Sequence, residues 1–182
     1  MITDEQAQKL FRDEAFRGSL LFRAAQLEFD LDCLLCAHFI RADRYDEAMD
    51  GLLRDLTFGR KIEIAKRLPL DKKLKSYGVA LTGLVAFQRL RNVAAHQWSV
   101  SLSTARQLLT DARCRAILDV PDSTTRLHSR QSSRPDGLTR EYRATSSALS
   151  QLVRTKEVGV GRKLGMADPG VRALMKIMSS HL

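Results

Sequence analysis

Residues 16–40 read FRGSLLFRAAQLEFDLDCLLCAHFI, and their periodicity decides the fold. Leu20, Ala24, Leu27, Leu31, Leu34 and His38 recur at steps of three and four. Such positions share one face of an α-helix, because a turn takes 3.6 residues. Leu21 and Leu35 widen the stripe, so the stretch predicts a helix with a broad buried face. Upstream, residues 4–16 predict a preceding helix that joins it through Gly18. Downstream, Asp43 can cap a short helix over residues 44–54.

The same signals carry the reading onward. Thr57 is a candidate N-cap for FGRKIEIAKRL, with Ile62, Ala65 and Leu68 on its apolar side and Pro69 as its stop. Asp71 or Ser76 starts the next helix, with Val79, Leu81, Leu84, Val85, Leu90 and Ala94 expected to face the core. That helix should end just after His96, near Gln97 and Trp98. Ser101 or Ser103 starts another, expected over residues 103–118, before Pro121. PDSTTRLHSRQSSRPDG is polar and turn-rich, and reads as an exposed arm. Residues 138–158 return to helix, anchored by Leu149, Leu152 and Val153. Gly159, Gly161 and Gly165 read as a flexible joint before a short helix over residues 170–180. GRKLGMADPG lacks the G-K-[ST] ending and the preceding strand of a phosphate-cradling loop. The fold class is therefore all-α: a helical bundle over residues 1–120, with a basic, mostly helical extension over residues 121–182.

Composition narrows the function classes. No apolar run approaches the ~20 residues of a membrane span. MITDEQAQKLFRDEAF is charged throughout and lacks the apolar core of a signal peptide, so the expected location is the cytoplasm, with no membrane partner. Cys33 and Cys36 form a C-x-x-C inside the apolar run LDCLLCAHF, whereas metal and redox pairs sit at turns or helix starts. Zinc would need a second ligand pair, and only Cys114 and His38 are at hand. Buried thiols are the better reading, and no metal or cofactor is expected.

The 182 residues carry 30 Lys+Arg against 21 Asp+Glu, a net charge of +9. The excess is uneven: residues 1–100 hold 16 basic and 14 acidic side chains, residues 101–182 hold 14 and 7. Most basic residues of the second half are Arg, whose planar fork matches phosphate. This balance points to a polyanion partner, against the plainer reading of a soluble basic surface.

Chemistry concentrates in LVAFQRLRNVAAHQW. Asn92 and His96 are four residues apart and share a helix face. Arg91 lies about 140° round from His96 on an ideal helix. Ala94 and Ala95 leave room for close approach. An imidazole titrates near ~6.5 and can move protons at neutral pH. A guanidinium stays cationic and can stabilise charge on phosphorus oxygens. The plain alternative is that both side chains cap carbonyls and offset the helix dipole at the helix end.

Arg91-Asn92-x-x-Ala95-His96 resembles the R-x4-H signature of the HEPN superfamily. TFGRKIEIAKRL and LEFDLDCLLCAHF are also similar to that family's core helices, so the resemblance covers about residues 16–118. It implies an all-α bundle that dimerises with the motifs facing across a two-fold axis. It implies RNA as substrate and metal-independent endoribonuclease chemistry, with Arg91, Asn92 and His96 as catalytic residues. An acidic residue of the first helix, Glu28 or Asp32, would face the site. By analogy the role would be a toxin or antiviral defence effector, with a cognate inhibitor or regulatory protein. Many HEPN-like proteins instead bind RNA, a nucleotide or a protein without turnover, and that reading stands beside the first.

Glu28 shares a face with Ala24, Leu31 and Leu35, and an inward carboxylate needs a partner. Arg91 is one candidate; Arg60 or Lys61 is the other. Arg60 and Lys61 could also line an RNA path, although solvated surface charge is the plainer reading. Arg126, Arg130, Arg134, Arg140 and Arg143 punctuate the arm and the start of the next helix, with Tyr142 the single aromatic among them. Phosphate contact should therefore dominate any nucleic-acid binding there. A DNA-binding regulator is a third class, but no helix-turn-helix signature supports it.

Overall fold

The computed structural model describes residues 2–39, 44–70, 72–119 and 136–164. Among them there are eight α-helices and no strand. The helices are α1 (Asp4–Arg12), α2 (Glu14–Phe39), α3 (Tyr45–Ala48), α4 (Phe58–Arg67), α5 (Lys75–His96), α6 (Leu102–Thr110), α7 (Ala112–Leu118) and α8 (Gly137–Leu164). A π-type turn over Met49–Leu53 follows α3. The expected all-α class is the observed one. No helix among the described residues is long and apolar enough to cross a membrane.

Local chemistry explains most of the helix ends. Thr3 and Gln6 form a reciprocal capping box at the start of α1. Asp13 then accepts from the Phe16 amide at 3.0 Å, so the chain breaks at Asp13 and α2 runs unbroken through Gly18. Thr57 caps α4 as expected, accepting from the Arg60 amide. Ser101 caps α6. The single helix expected over residues 103–118 is two, because Asp111 ends α6 and caps α7. The last helix does not stop at Gly159: α8 continues through Gly159 and Gly161 to Leu164. The helix expected over residues 170–180 and the arm at residues 121–135 lie outside the described residues.

The chain divides into two compact units, Met1–Leu27 with Thr82–Thr145, and Glu28–Leu81 with Ser146–Leu182. In the first, α1 packs on α6, and Arg106 reaches Asp4 at 3.2 Å. Phe11, Leu20, Leu27, Leu84, Phe87, Leu90 and Ile117 are fully buried there. Phe11 meets Phe16 edge to face, with ring centres 5.8 Å apart. Arg23 lies over the Tyr142 ring at 4.6 Å, and Arg113 pairs with Glu141.

Two details of this unit make predictions. Gly83 of α5 faces Thr145 of α8, and a Cβ at Gly83 would overlap the Thr145 Oγ1, Cγ2 and Cβ atoms. The Thr145 hydroxyl is held in place, donating to the Glu141 carbonyl at 2.9 Å. Gly83→Ala should therefore lose about 1–3 kcal/mol by overpacking, outweighing the ~1 kcal/mol by which alanine is the better helix former. In urea melts Thr145→Ala should relieve the loss. A Gly83→Ala variant as stable as the wild type would contradict this close packing.

Asp111 supplies the second. Its Oδ1 accepts from the Arg113 and Cys114 amides, and its Oδ2 receives Arg89 at 2.9 Å. Partial burial works to raise its pKa, but these bonds and the Arg89 charge outweigh it and hold the carboxyl below its usual value of 3.8. A carboxylate with a depressed folded pKa stabilises above its unfolded pKa, and that stability is lost as pH falls through the folded one. Asp111→Ala should cost about 1–2 kcal/mol at neutral pH and progressively less below pH 3.8. Paired thermal melts at neutral and acid pH check both the size and the convergence.

In the second unit the part of α2 from Leu31 to Cys36 is buried on every side, which marks a core helix rather than a surface one. Leu53, Phe58, Ile62, Ala65, Leu68 and Tyr77 pack in the same unit, together with Ala148, Leu149, Leu152 and Val153 of α8. Ser146 donates to Asp30 at 2.7 Å. Lys61 is also buried here, its side chain 4% exposed, and its Nζ donates to Glu28 at 3.0 Å and to Asp32 at 2.8 Å.

Candidate active site

The Arg-to-His segment closes α5. Its Ala94 and Leu90 are fully buried. Asn92, Ala95 and His96 are exposed, and Arg91 is half-buried. Helix geometry explains the pattern: at about 100° per residue, Asn92 and His96 point nearly opposite to Leu90 and Ala94, and Arg91 falls at the rim. The imidazole and the carboxamide thus share a solvent face, with the guanidinium beside it and the Ala95 methyl between them.

A helix end leaves its last carbonyls without intrahelical donors. At the α5 terminus a side chain from another helix meets one of them. Arg17 of α2 donates from Nη2 to the Ala94 carbonyl at 2.5 Å. Its guanidinium lies over the Trp98 ring, 4.7 Å from the centroid. The side chains of Arg91 and His96 make no hydrogen bond or ion pair with a described residue. At the Ala94 carbonyl the capping is done by Arg17 and not by either of these two side chains.

Glu28 is bound to Lys61 rather than to Arg91, so it does not orient the guanidinium. Asp32, the alternative acidic residue, holds the same ammonium. Lys61 departs from the expectation that it lines an RNA path, because burial and two carboxylates hold its charge inside the protein. Arg60 is exposed on α4. Arg140 and Arg143 are exposed one turn apart on α8. Arg126, Arg130 and Arg134 lie outside the described residues.

Two residues of this region escaped the sequence reading. Arg17 has no local signal, since its partner Ala94 is 77 positions away. Trp98 had one: it is the single tryptophan of the chain, two residues past His96 in a polar stretch. Among the described residues no group of three or more His, Cys, Asp and Glu side chains is placed to hold a metal ion. Comparison with protein-family models, with curated proteins and with solved structures found no match.

Proposed function

We propose that the chain is a metal-independent endoribonuclease of the HEPN type, acting on RNA through Arg91, Asn92 and His96. The observation that carries this reading is the α5 terminus. Arg17 meets the Ala94 carbonyl, and an exposed imidazole and a half-buried guanidinium stand at the same helix end without a side-chain partner among the described residues. A group that serves packing is normally satisfied by packing.

The chemistry is an in-line displacement at phosphorus. An imidazole takes the proton of the ribose 2′-hydroxyl, and the 2′-oxygen bonds to phosphorus. The bond from phosphorus to the 5′-oxygen breaks, and that oxygen takes a proton from an imidazolium. The products are a 2′,3′-cyclic phosphate and a 5′-hydroxyl. Arg91 stabilises the charge that builds on the non-bridging oxygens, and Asn92 orients the imidazole or the phosphate. One chain supplies one His96, so the base and acid roles call for two copies, which is the reason to propose a homodimer with the motifs facing each other. A toxin or antiviral defence role, with a cognate inhibitor, follows by analogy alone.

The rim position of Arg91, about 140° round the helix from His96, favours a second reading in which the segment binds RNA without turnover. Labelled RNA incubated with the protein in EDTA separates the two. The enzyme reading expects cleavage that survives chelation, leaves cyclic-phosphate ends and disappears in His96→Ala. RNA that is bound and stays intact sinks that reading and supports the binding module.

A further inference from the structure

We infer that Trp98 is a stacking platform for one unpaired nucleobase of a bound strand, immediately beside the Arg91–His96 segment. This rests on the nucleic-acid reading of that segment and deepens it by naming what holds the base.

The indole is 76% exposed, although tryptophan is ordinarily among the more buried residues. One face is occupied: the Arg17 guanidinium sits 4.7 Å from the ring centroid. That cation is anchored by the Ala94 carbonyl, so the ring rests on a fixed support and is positioned before any ligand arrives. Ordering cost is thereby removed from binding. Arg17 has no carboxylate partner among the described residues, and its Nη1 is buried without an acceptor. Among the described residues the charge behind the ring meets the Ala94 carbonyl and the indole face but no carboxylate. A flat π-face with a cation beneath it suits a flat ring that brings negative charge with it, which describes a nucleotide. The chain's net charge of +9 acts in the same direction. Trp98 follows His96 by two residues, so a base on the indole sets its neighbouring phosphate near the α5 terminus.

Because the chain has one tryptophan, its fluorescence reports this face directly. The full-length protein is titrated with a 2′-O-methyl RNA oligonucleotide, which cannot be cut through the 2′-oxygen, and with an abasic strand of equal length. Strand binding is followed independently by anisotropy of an end label. The platform expects saturable quenching of Trp98 by the base-bearing strand and none by the bound abasic strand. Trp98→Leu should weaken binding of the base-bearing strand by roughly 5- to 150-fold, and Trp98→Phe should recover most of it. Circular dichroism verifies that both variants fold. If anisotropy shows strand binding while emission stays constant and Trp98→Leu binds equally well, the platform is wrong and the nucleic-acid reading survives. If no strand binds at all, the nucleic-acid reading falls and takes the platform with it. Emission that responds to protein concentration but not to the strand would assign the ring to contact between copies, which also overturns the proposal.

Discussion

Lys61→Met is expected to cost about 3–5 kcal/mol of stability, read as a lower urea midpoint, because it takes the shared cation from buried Asp32 and half-buried Glu28. The Lys61 side chain is 4% exposed and donates to both Glu28 and Asp32. Methionine fills a similar volume, so the loss is electrostatic rather than a cavity. Adding Glu28→Gln and Asp32→Leu to the same chain should return most of it, since an apolar replacement of a whole buried ion cluster is often neutral. A single Lys61→Met variant as stable as the wild type would show that the carboxylates escape to water.

The pH dependence of the cluster has two signs. Burial alone would lower the Lys61 pKa, but the bonds to Asp32 and Glu28 raise it above the ordinary 10.5. A base with a raised folded pKa contributes stability that is complete below its unfolded pKa and is lost as pH climbs through the folded one. The cluster should therefore weaken above pH 10.5, and the triply substituted chain should lack that loss. Asp32 behaves oppositely to an ordinary paired carboxylate. Burial raises its pKa above 3.8, Lys61 opposes this, and Glu28 adds to it. The charge on Asp32 is thus a burden to the fold, and its stabilising contribution falls as pH rises through the raised value. Asp32→Asn should stay within about 1 kcal/mol of the wild type at neutral pH.

Under the proposed mechanism, His96→Ala should lower RNA cleavage by roughly 10²- to 10⁴-fold, the usual scale for losing a general acid–base group. Arg91→Ala should lower it by roughly 10²- to 10³-fold, as for a donor that steadies developing charge. Arg91→Lys should recover little, because an ammonium lacks the guanidinium fork. His96 is exposed and Arg91 stands at the rim of the core, so both variants should melt within about 0.5 kcal/mol of the wild type. That separation of activity from stability is the signature to look for. An RNA with a deoxyribose at the cleaved position should resist the wild type altogether. Cleavage that persists unchanged in His96→Ala, or that proceeds at a 2′-deoxy position, would sink the mechanism.

The helices were legible because their ends carry local chemistry. Thr57 and Ser101 accept from amides three residues on, and that spacing is written in the chain. The end of α5 falls at His96, where the sequence reading placed it. The buried side of α5 was legible only in part: Leu84, Leu90 and Ala94 are buried as expected. Val79, Leu81 and Val85, expected inside, are half-buried, while Ala80, Ala86 and Phe87 are buried. Apolar residues occupy nearly every direction around that part of the helix, so periodicity could not choose a face. The glycines of α8 read as a joint because glycine disfavours helix by only about 1 kcal/mol each, a weak prior that context overrides. Of the site, the Arg91–His96 segment could be read directly. Its Arg17 support and the Lys61 cluster could not, since partners 77, 33 and 29 residues apart leave no periodic trace.

Cys33, Cys36 and Cys114 are all buried, and burial pushes the Cys36 and Cys114 thiols up to about 12. Only thiolate attacks an alkylating reagent. In the native protein at neutral pH those two sulfurs are therefore doubly silent, shielded and protonated. Labelling, followed site by site in a mass spectrometer, becomes a clock for transient opening. Cys114 reports the first unit and Cys36 the second, so one reagent times the breathing of each.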